Sequence, residues 1–306
     1  MNVREWALPV YTILMQMAVG GLFILWVIRS RAGERFTKEE MGRIIQNPIL
    51  VITVTGFLAM IGAHFHLSKP LLSFMAILNV EHSWLSREIL FTVLFFLSTV
   101  LLWYLSVYQA RQHEFITSLG WAAILFGLIV VYCMANIYIM PTQEVWNSLS
   151  MVFSFYATTL LLGCIMIACL MVLDLRFAEI QRSEDVEIHA RLIRYSFKGL
   201  AYLSLGAVLF EIVLTLLQIN TLQEGGATAQ ASMRLLFELY LPLVILRGSL
   251  LIFGAFTLGY YVNRMYRLKS EPKGIMRQVY LASLFIIIAE IIGRFLFYAI
   301  HIRVGL

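Results

Sequence analysis

Long apolar runs, separated by short polar connections, recur from one end of this sequence to the other. Each is roughly 20 residues or longer, the length at which a helix crosses a bilayer core about 30 Å thick. Eight spans are predicted: Glu5–Arg29, Pro48–Leu67, Glu88–Gln109, Ser118–Met140, Ser150–Arg176, Gly199–Ile219, Leu235–Tyr261 and Val279–Ile302. Pro141 stops the fourth, because proline has no amide with which to continue the ladder. A membrane β-barrel would show alternating segments of about ten residues instead. The pattern predicts an all-α polytopic membrane protein, and with no linker or solenoid repeat, residues 1–306 read as one integral-membrane domain.

The polar connections add detail. RSRAGERFTKEEMGRIIQNP reads as a short surface helix ended by Pro48, and AEIQRSEDVEIHARLIRYS as an extension of span five or six into water. NTLQEGGATAQASMR reads as flexible, and MPTQEVWNSLS carries Trp146 at interface depth, where an indole keeps one wet end. MNVREWALPVY runs straight into apolar sequence without a small-residue cleavage pattern, so it reads as a retained first span.

Composition agrees with the pattern: 60% of residues are hydrophobic, 13% are charged, and mean hydropathy is +0.83. The net charge of +5 does not signal nucleic-acid binding, because the positive residues lie in membrane-flanking loops. Of 23 Lys and Arg, 16 fall in the connections after spans one, three, five and seven, and five on the other face. The positive-inside rule then places both termini, and the connection between spans two and three, on the outer face of the membrane.

That connection, GAHFHLSKPLLSFMAILNVEHSWLSRE, is the first candidate for chemistry. It leaves one span through His64 and His66 and enters the next at Glu88, and ionisable groups at such depths usually have a function. Span eight supplies a second set. Glu290 and Arg294 are four apart and share a helix face, and His301 lies two turns further along the same stripe, with Tyr298 beside it. Two readings stay open: an intrahelical ion pair that pins packing, or a polar line toward the outer surface. Gln16, Tyr138, Glu211, Gln218, Glu238 and Arg247 add intramembrane polar groups, and pairing of Arg247 or Arg294 with Glu211 or Glu238 is expected.

Cysteine and histidine counts limit the cofactors. Cys133, Cys164 and Cys169 all lie inside spans and form no CxxC, whereas an iron–sulfur cluster needs about four thiolates. For a bis-histidine haem, only His66 with His301 remains geometrically possible.

The motifs EWALPVYTILMQMAVGG, HLSKPLLSF with LSREI, Arg247, and the terminal AEIIGRFLFYAIHIRVGL resemble those of the membrane-anchor subunit of dimethyl-sulfoxide reductase and related molybdopterin oxidoreductases. The resemblance covers the whole chain. It implies that His66 and Glu88 bind and oxidise a quinol, menaquinol being the expected form. His64 lies outside the family pattern; it, Tyr138, Arg294, Tyr298 and His301 stand as further pocket candidates from their places in the spans. It also implies partners: an iron–sulfur electron-transfer subunit and a molybdopterin catalytic subunit, with no haem in the anchor itself. The expected location is the cell inner (cytoplasmic) membrane, in contact with lipid. One departure stands in span four, where relatives can carry an Arg two residues before the Tyr and this chain has Asn136 before Tyr138. Three rivals remain: a quinone-reducing anchor of a formate, hydrogen or sulfur-compound oxidising complex, a purely mechanical anchor, and a secondary transporter or proton channel. The last would favour matched broken helices in two halves, which the sequence does not show.

Overall fold

A computed structural model describes residues 3–66, 78–268 and 272–302, without the side chains of residues 3–5, 65, 66 and 273. The helices are α1 (Val3–Ala32), α2 (Lys38–His66), α3 (Trp84–Tyr108), α4 (His113–Tyr138), α5 (Leu149–Ile180), α6 (Val186–Glu224), α7 (Ala227–Glu238), α8 (Leu241–Leu268) and α9 (Met276–Ala299). A 3-10 turn, Pro272–Ile275, leads into α9. All but α7 are long and apolar enough to cross a membrane, and no strand occurs among the described residues.

Neighbours in sequence pair as antiparallel hairpins, α1 with α2, α3 with α4, α5 with α6, and α8 with α9. The hairpins meet along α1 and α5. About 72% of the apolar window of α1 and 78% of that of α5 are buried, against 22–44% for the other spans. Glycines let these two helices touch. A Cβ on Gly20 would stand 1.9 Å from the Thr159 carbonyl oxygen, and one on Gly163 would stand 2.3 Å from the Gly20 carbonyl carbon. Between membrane helices, where lipid is as apolar as leucine, such close backbone approach is a main source of association. A third glycine, Gly120 on α4, admits the Trp26 indole, whose N–H donates to the Thr117 carbonyl at 3.2 Å.

Several helices run past their apolar runs. α2 begins at Lys38 and passes through Pro48, correcting the expected surface helix that ends there. Thr37 and Glu40 start it with a reciprocal capping box: the Glu40 amide donates to Thr37 Oγ1 (3.1 Å), and the Thr37 amide donates to Glu40 Oε2 (2.8 Å). Pro48 removes one ladder bond, but buried Ile45 and Ile49 hold the helix on either side. α5 and α6 both extend into the connection between them, as expected. Ion pairs brace this end: Arg43 with Asp185 at 2.7 Å and Arg191 with Glu40 at 2.5 Å.

At the opposite end the segment expected to be flexible folds as α7 after the Gly225–Gly226 break. Glu144, in the α4–α5 connection, accepts from the Thr228 hydroxyl (2.7 Å) and the Ala229 amide (3.1 Å), so it caps α7 from a distant part of the chain. Gly226 leaves room for it, since a Cβ there would stand 2.7 Å from Glu144 Oε1. Span seven starts at Leu241 rather than Leu235, because the chain turns between α7 and α8 ahead of Pro242.

Candidate functional site

Most of the sequence-predicted polar residues gather at the α7 end of the bundle, in two neighbouring groups. The first is built on Glu88, just past the first turn of α3, a helix that Ser83 caps by accepting from the Ser86 amide at 3.3 Å. Helical spacing turns Glu88 inward, and the residue is only 5% exposed. Tyr11 of α1 donates its hydroxyl to Glu88 Oε1 at 2.8 Å, and the same hydroxyl lies 3.3 Å from Thr92 Oγ1. Adjacent Arg87 does not neutralise Glu88. It donates to the carbonyls of Val80 (2.8 Å) and Glu81 (2.6 Å) and lies over the Trp84 ring.

Tyr138, the last residue of α4, bonds Tyr298 of α9, hydroxyl to hydroxyl, at 2.6 Å. An aromatic frame fixes both: Trp146 donates its N–H to the Phe297 carbonyl at 3.1 Å, and Phe297 meets Tyr138 edge-on. His301 stacks flat on Trp146 at 4.2 Å and bonds Gln143 Oε1 through Nε2 at 2.5 Å. Arg294 Nη2 donates to Gln16 Oε1 (2.6 Å), while Gln16 Nε2 donates to the Phe155 carbonyl (2.8 Å). The guanidinium also lies 4.3 Å from the Phe155 ring centre, a cation–π contact that desolvation strengthens.

The second group corrects the expected Glu290–Arg294 pair. Glu290 instead meets Arg247 Nη2 of α8 at 3.5 Å, and the same nitrogen donates to Glu211 Oε2 of α6 at 2.7 Å. Thr158 Oγ1 on α5 lies 3.2 Å from Glu211 Oε1 and 3.0 Å from Glu290 Oε2. The physical reason is Gly293: a Cβ there would stand 2.5 Å from Arg247 Nε, so glycine opens the groove that lets Arg247 reach Glu290. The expected pairing of Arg247 with Glu211 is found, whereas Glu238 is exposed at the end of α7. A cavity of about 290 Å³ adjoins this group, between α5, α6, α8 and α9 and beneath α7.

Other candidates fall elsewhere. His64 is exposed and turns Nδ1 to the Met60 carbonyl of its own helix at 2.8 Å. His66 ends α2, but its side chain lies outside the described residues. Asn136 donates to the Tyr132 carbonyl one turn back at 2.7 Å. Sequence reasoning named Gln16 and Glu211 as intramembrane polar groups, but it did not place Tyr11, Thr92 or Thr158 in a site. Thr92 had a local signal, four residues beyond Glu88 on the same face. Tyr11 and Thr158 had none of their own, because each acts through a partner on another helix.

Eight membrane-length helices enclosing carboxylates, arginines and phenols define a multi-pass membrane protein with polar sites buried near one end. A family model described as "DMSO reductase anchor subunit (DmsC)" matches residues 1–300, and the chain belongs to that family. It is 28% identical, over 99% of its length and 97% of the relative's, to "Anaerobic dimethyl sulfoxide reductase chain YnfH" of Escherichia coli (strain K12). It is 25% identical, over 100% of its length and 99% of the relative's, to an anaerobic dimethyl sulfoxide reductase chain of Haemophilus influenzae (strain ATCC 51907 / DSM 11121 / KW20 / Rd). The protein is thus the membrane anchor subunit of a DMSO reductase-type complex.

Proposed function

We propose that this anchor oxidises a quinol, menaquinol by preference, at the Glu88 group. Its electrons then pass to a docked iron–sulfur subunit and on to a molybdopterin catalytic subunit. The membrane is the cell inner (cytoplasmic) membrane, and the α7 end faces outward, as the excess of Lys and Arg on the other face implies.

The observation that carries this reading is the buried Glu88 carboxylate at a span mouth, held by Tyr11, with the bonded Tyr138–Tyr298 pair at the same end of the bundle. The donor set suits a quinol: a carboxylate accepts from a ring hydroxyl, and phenols can donate to or accept from ring oxygens. Bound there, a quinol would supply two electrons and two protons. In this reading Glu88 takes one of these protons, and Tyr11 fixes the carboxylate's orientation. Arg294, held by Gln16 and Phe155, sets its guanidinium one turn before Tyr298 on α9. His66, at the end of α2 and implied by the family motif, is the second proton-exchanging group.

The test compares two electron donors in membranes carrying the whole complex. Glu88→Gln keeps shape and removes the proton acceptor, so quinol-linked turnover should fall by about 100-fold or more. Turnover with an artificial donor that bypasses the membrane should stay normal, as should the amount of bound soluble subunit. Normal quinol turnover would remove Glu88 from the site, and loss of both activities would make it structural.

A further inference from the structure

Asp174 is a carboxylate only 7% exposed, near the end of α5 that lies away from the Glu88 group. Asn47 of α2 holds one of its oxygens, donating Nδ2 to Oδ1 at 3.1 Å. The other oxygen, Oδ2, has no hydrogen-bond partner among the described residues, yet it is not sealed from solvent. Asp174 also makes no ion pair among the described residues. A buried charge without a counter-ion is costly, and within a span such a group usually has a function.

Asp174 and Asn47 line a cavity of about 500 Å³ between α2 and α5, a size within the range of ligand pockets. The gap arises because α2 and α5 barely touch, each packing instead on α1. Of the carboxylates that line it, Asp185 pairs with Arg43 at 2.7 Å and Glu40 with Arg191 at 2.5 Å. Asp174 is left over, so the fitting ligand is cationic. No cluster of His, Cys, Asp and Glu suited to a metal ion occurs among the described residues. Hydrogen bonding narrows the choice. Asp174 Oδ2 and Asn47 Oδ1 are open acceptors on two side chains already bonded to each other. A primary ammonium brings one charge and three N–H donors, whereas a quaternary one brings the charge alone.

The remaining walls indicate the source of that ammonium. Leu50 and Val51 on α2, and Leu173 and Phe177 on α5, line the cavity and are exposed apolar side chains within spans. Acyl chains would cover them, and a small soluble amine would not. Arg43 stands one turn toward water from Asn47, on the same helix face. Its exposed side chain gives Nη1 to Asp185, which leaves further donors for a phosphate.

We propose that this groove binds a phospholipid with a primary-ammonium head group. The ammonium sits on Asp174 and Asn47, the phosphate lies toward Arg43, and the acyl chains run along Leu50, Val51, Leu173 and Phe177. The lipid belongs to the leaflet beside the α5–α6 connection, the inner one in the orientation proposed above. The site is at the other end of the bundle from Glu88 and does not depend on quinol chemistry.

The test uses the intact complex in phosphatidylglycerol nanodiscs that carry a trace of phosphatidylethanolamine with a diazirine in one acyl chain. Adducts are mapped by peptide mass spectrometry and are expected on the α2 peptide containing Leu50 and the α5 peptide containing Leu173 and Phe177. Unlabelled phosphatidylethanolamine should displace them at about a tenth of the concentration that phosphatidylcholine needs, because the two heads share a charge but only the first donates N–H bonds. Asp174→Asn removes the charge while keeping an oxygen for Asn47, and should reduce these adducts by about tenfold. Adducts on the lipid-facing part of α8 around Phe253 and Phe256, both exposed, should stay unchanged. The competition uses the wild-type complex, so it decides the question even where the variant does not assemble. Equal displacement by phosphatidylcholine would show ordinary lipid contact and overturn the proposal. Equal displacement by soluble phosphoethanolamine would show a free-amine site and overturn it too, as would the absence of adducts on α2 and α5.

Discussion

Gly163→Ala tests whether the α1–α5 seam holds the bundle and its site together. Two opposing terms set the outcome. Alanine is favoured over glycine in a helix interior by about 1 kcal/mol. Against this, the new methyl would stand 2.3 Å from the Gly20 carbonyl carbon and 2.5 Å from its oxygen, where non-bonded carbons prefer about 3.5–4.0 Å. The obstacle is backbone, which cannot rotate aside, so the helices must part by more than an ångström. Overpacking of this kind costs about 1–3 kcal/mol or more, and a rigid neighbour puts the cost at the upper end. The expected net loss is about 2 kcal/mol. Gly259→Ala on α8 is the control, because nothing lies within 4 Å of its Cβ position, and it should be neutral or slightly stabilising. The assay is SDS titration of the detergent-purified anchor, read by the midpoint of helix loss. A second readout follows from Gln16, one turn before Gly20, which reaches across the seam to the Phe155 carbonyl and supports Arg294. Quinol-linked turnover should therefore fall further than stability alone predicts. A Gly163→Ala anchor as resistant to SDS as the Gly259→Ala control would refute the reasoning.

Other outcomes are as specific. Arg247→Gln leaves two buried carboxylates without their shared cation, and breaking a buried pair costs about 3–5 kcal/mol; less assembled complex in membranes is the measure, and wild-type levels would show that the cluster carries no structural load. The Glu144 carboxyl is held below the ordinary carboxylate range, first by the Thr228 hydroxyl and then by the Ala229 amide. Its contribution to docking α7 is complete above the ordinary value of about 4.3 and fades as pH falls through the lowered one; amide exchange across α7 should rise in acid, and Glu144→Gln should show faster exchange already at neutral pH. Cysteine labelling should place Arg87 and Thr228 outside and Arg35 and Arg43 inside, and the reverse pattern would invert the proposed orientation.

The spans were legible in the sequence because each must be apolar over a bilayer's thickness, whatever packs against it. Their ends were not. The helical extensions of α2 and α6 owe their order to contacts such as Arg43 with Asp185, which join connections far apart in the chain. α7 depends on Glu144, whose place at its N-terminus is set by another loop. Glu88 was readable as a charged residue at a span mouth within a family motif, but its partner Tyr11 lies 77 residues away. Helical spacing put Glu290 and Arg294 on one face correctly, yet a shared face allows contact without compelling it. Gly293 opened the groove to Arg247, and Arg294 found Gln16 and the Phe155 ring instead.

The glycine contact between α1 and α5 also has a consequence for the order of assembly. α1 enters the membrane first, and α2 can join it at once, but the face carrying Gly20 has no partner until Gly163 has been made. At about 5–20 residues per second, that interval is roughly 7–30 s of synthesis. During it a helix whose apolar window is 72% buried in the finished fold waits beside lipid or the insertion machinery, its small-residue face open to any other helix with a matching groove. The seam that anchors the finished bundle is therefore also the surface most exposed to mispairing while the chain is being built.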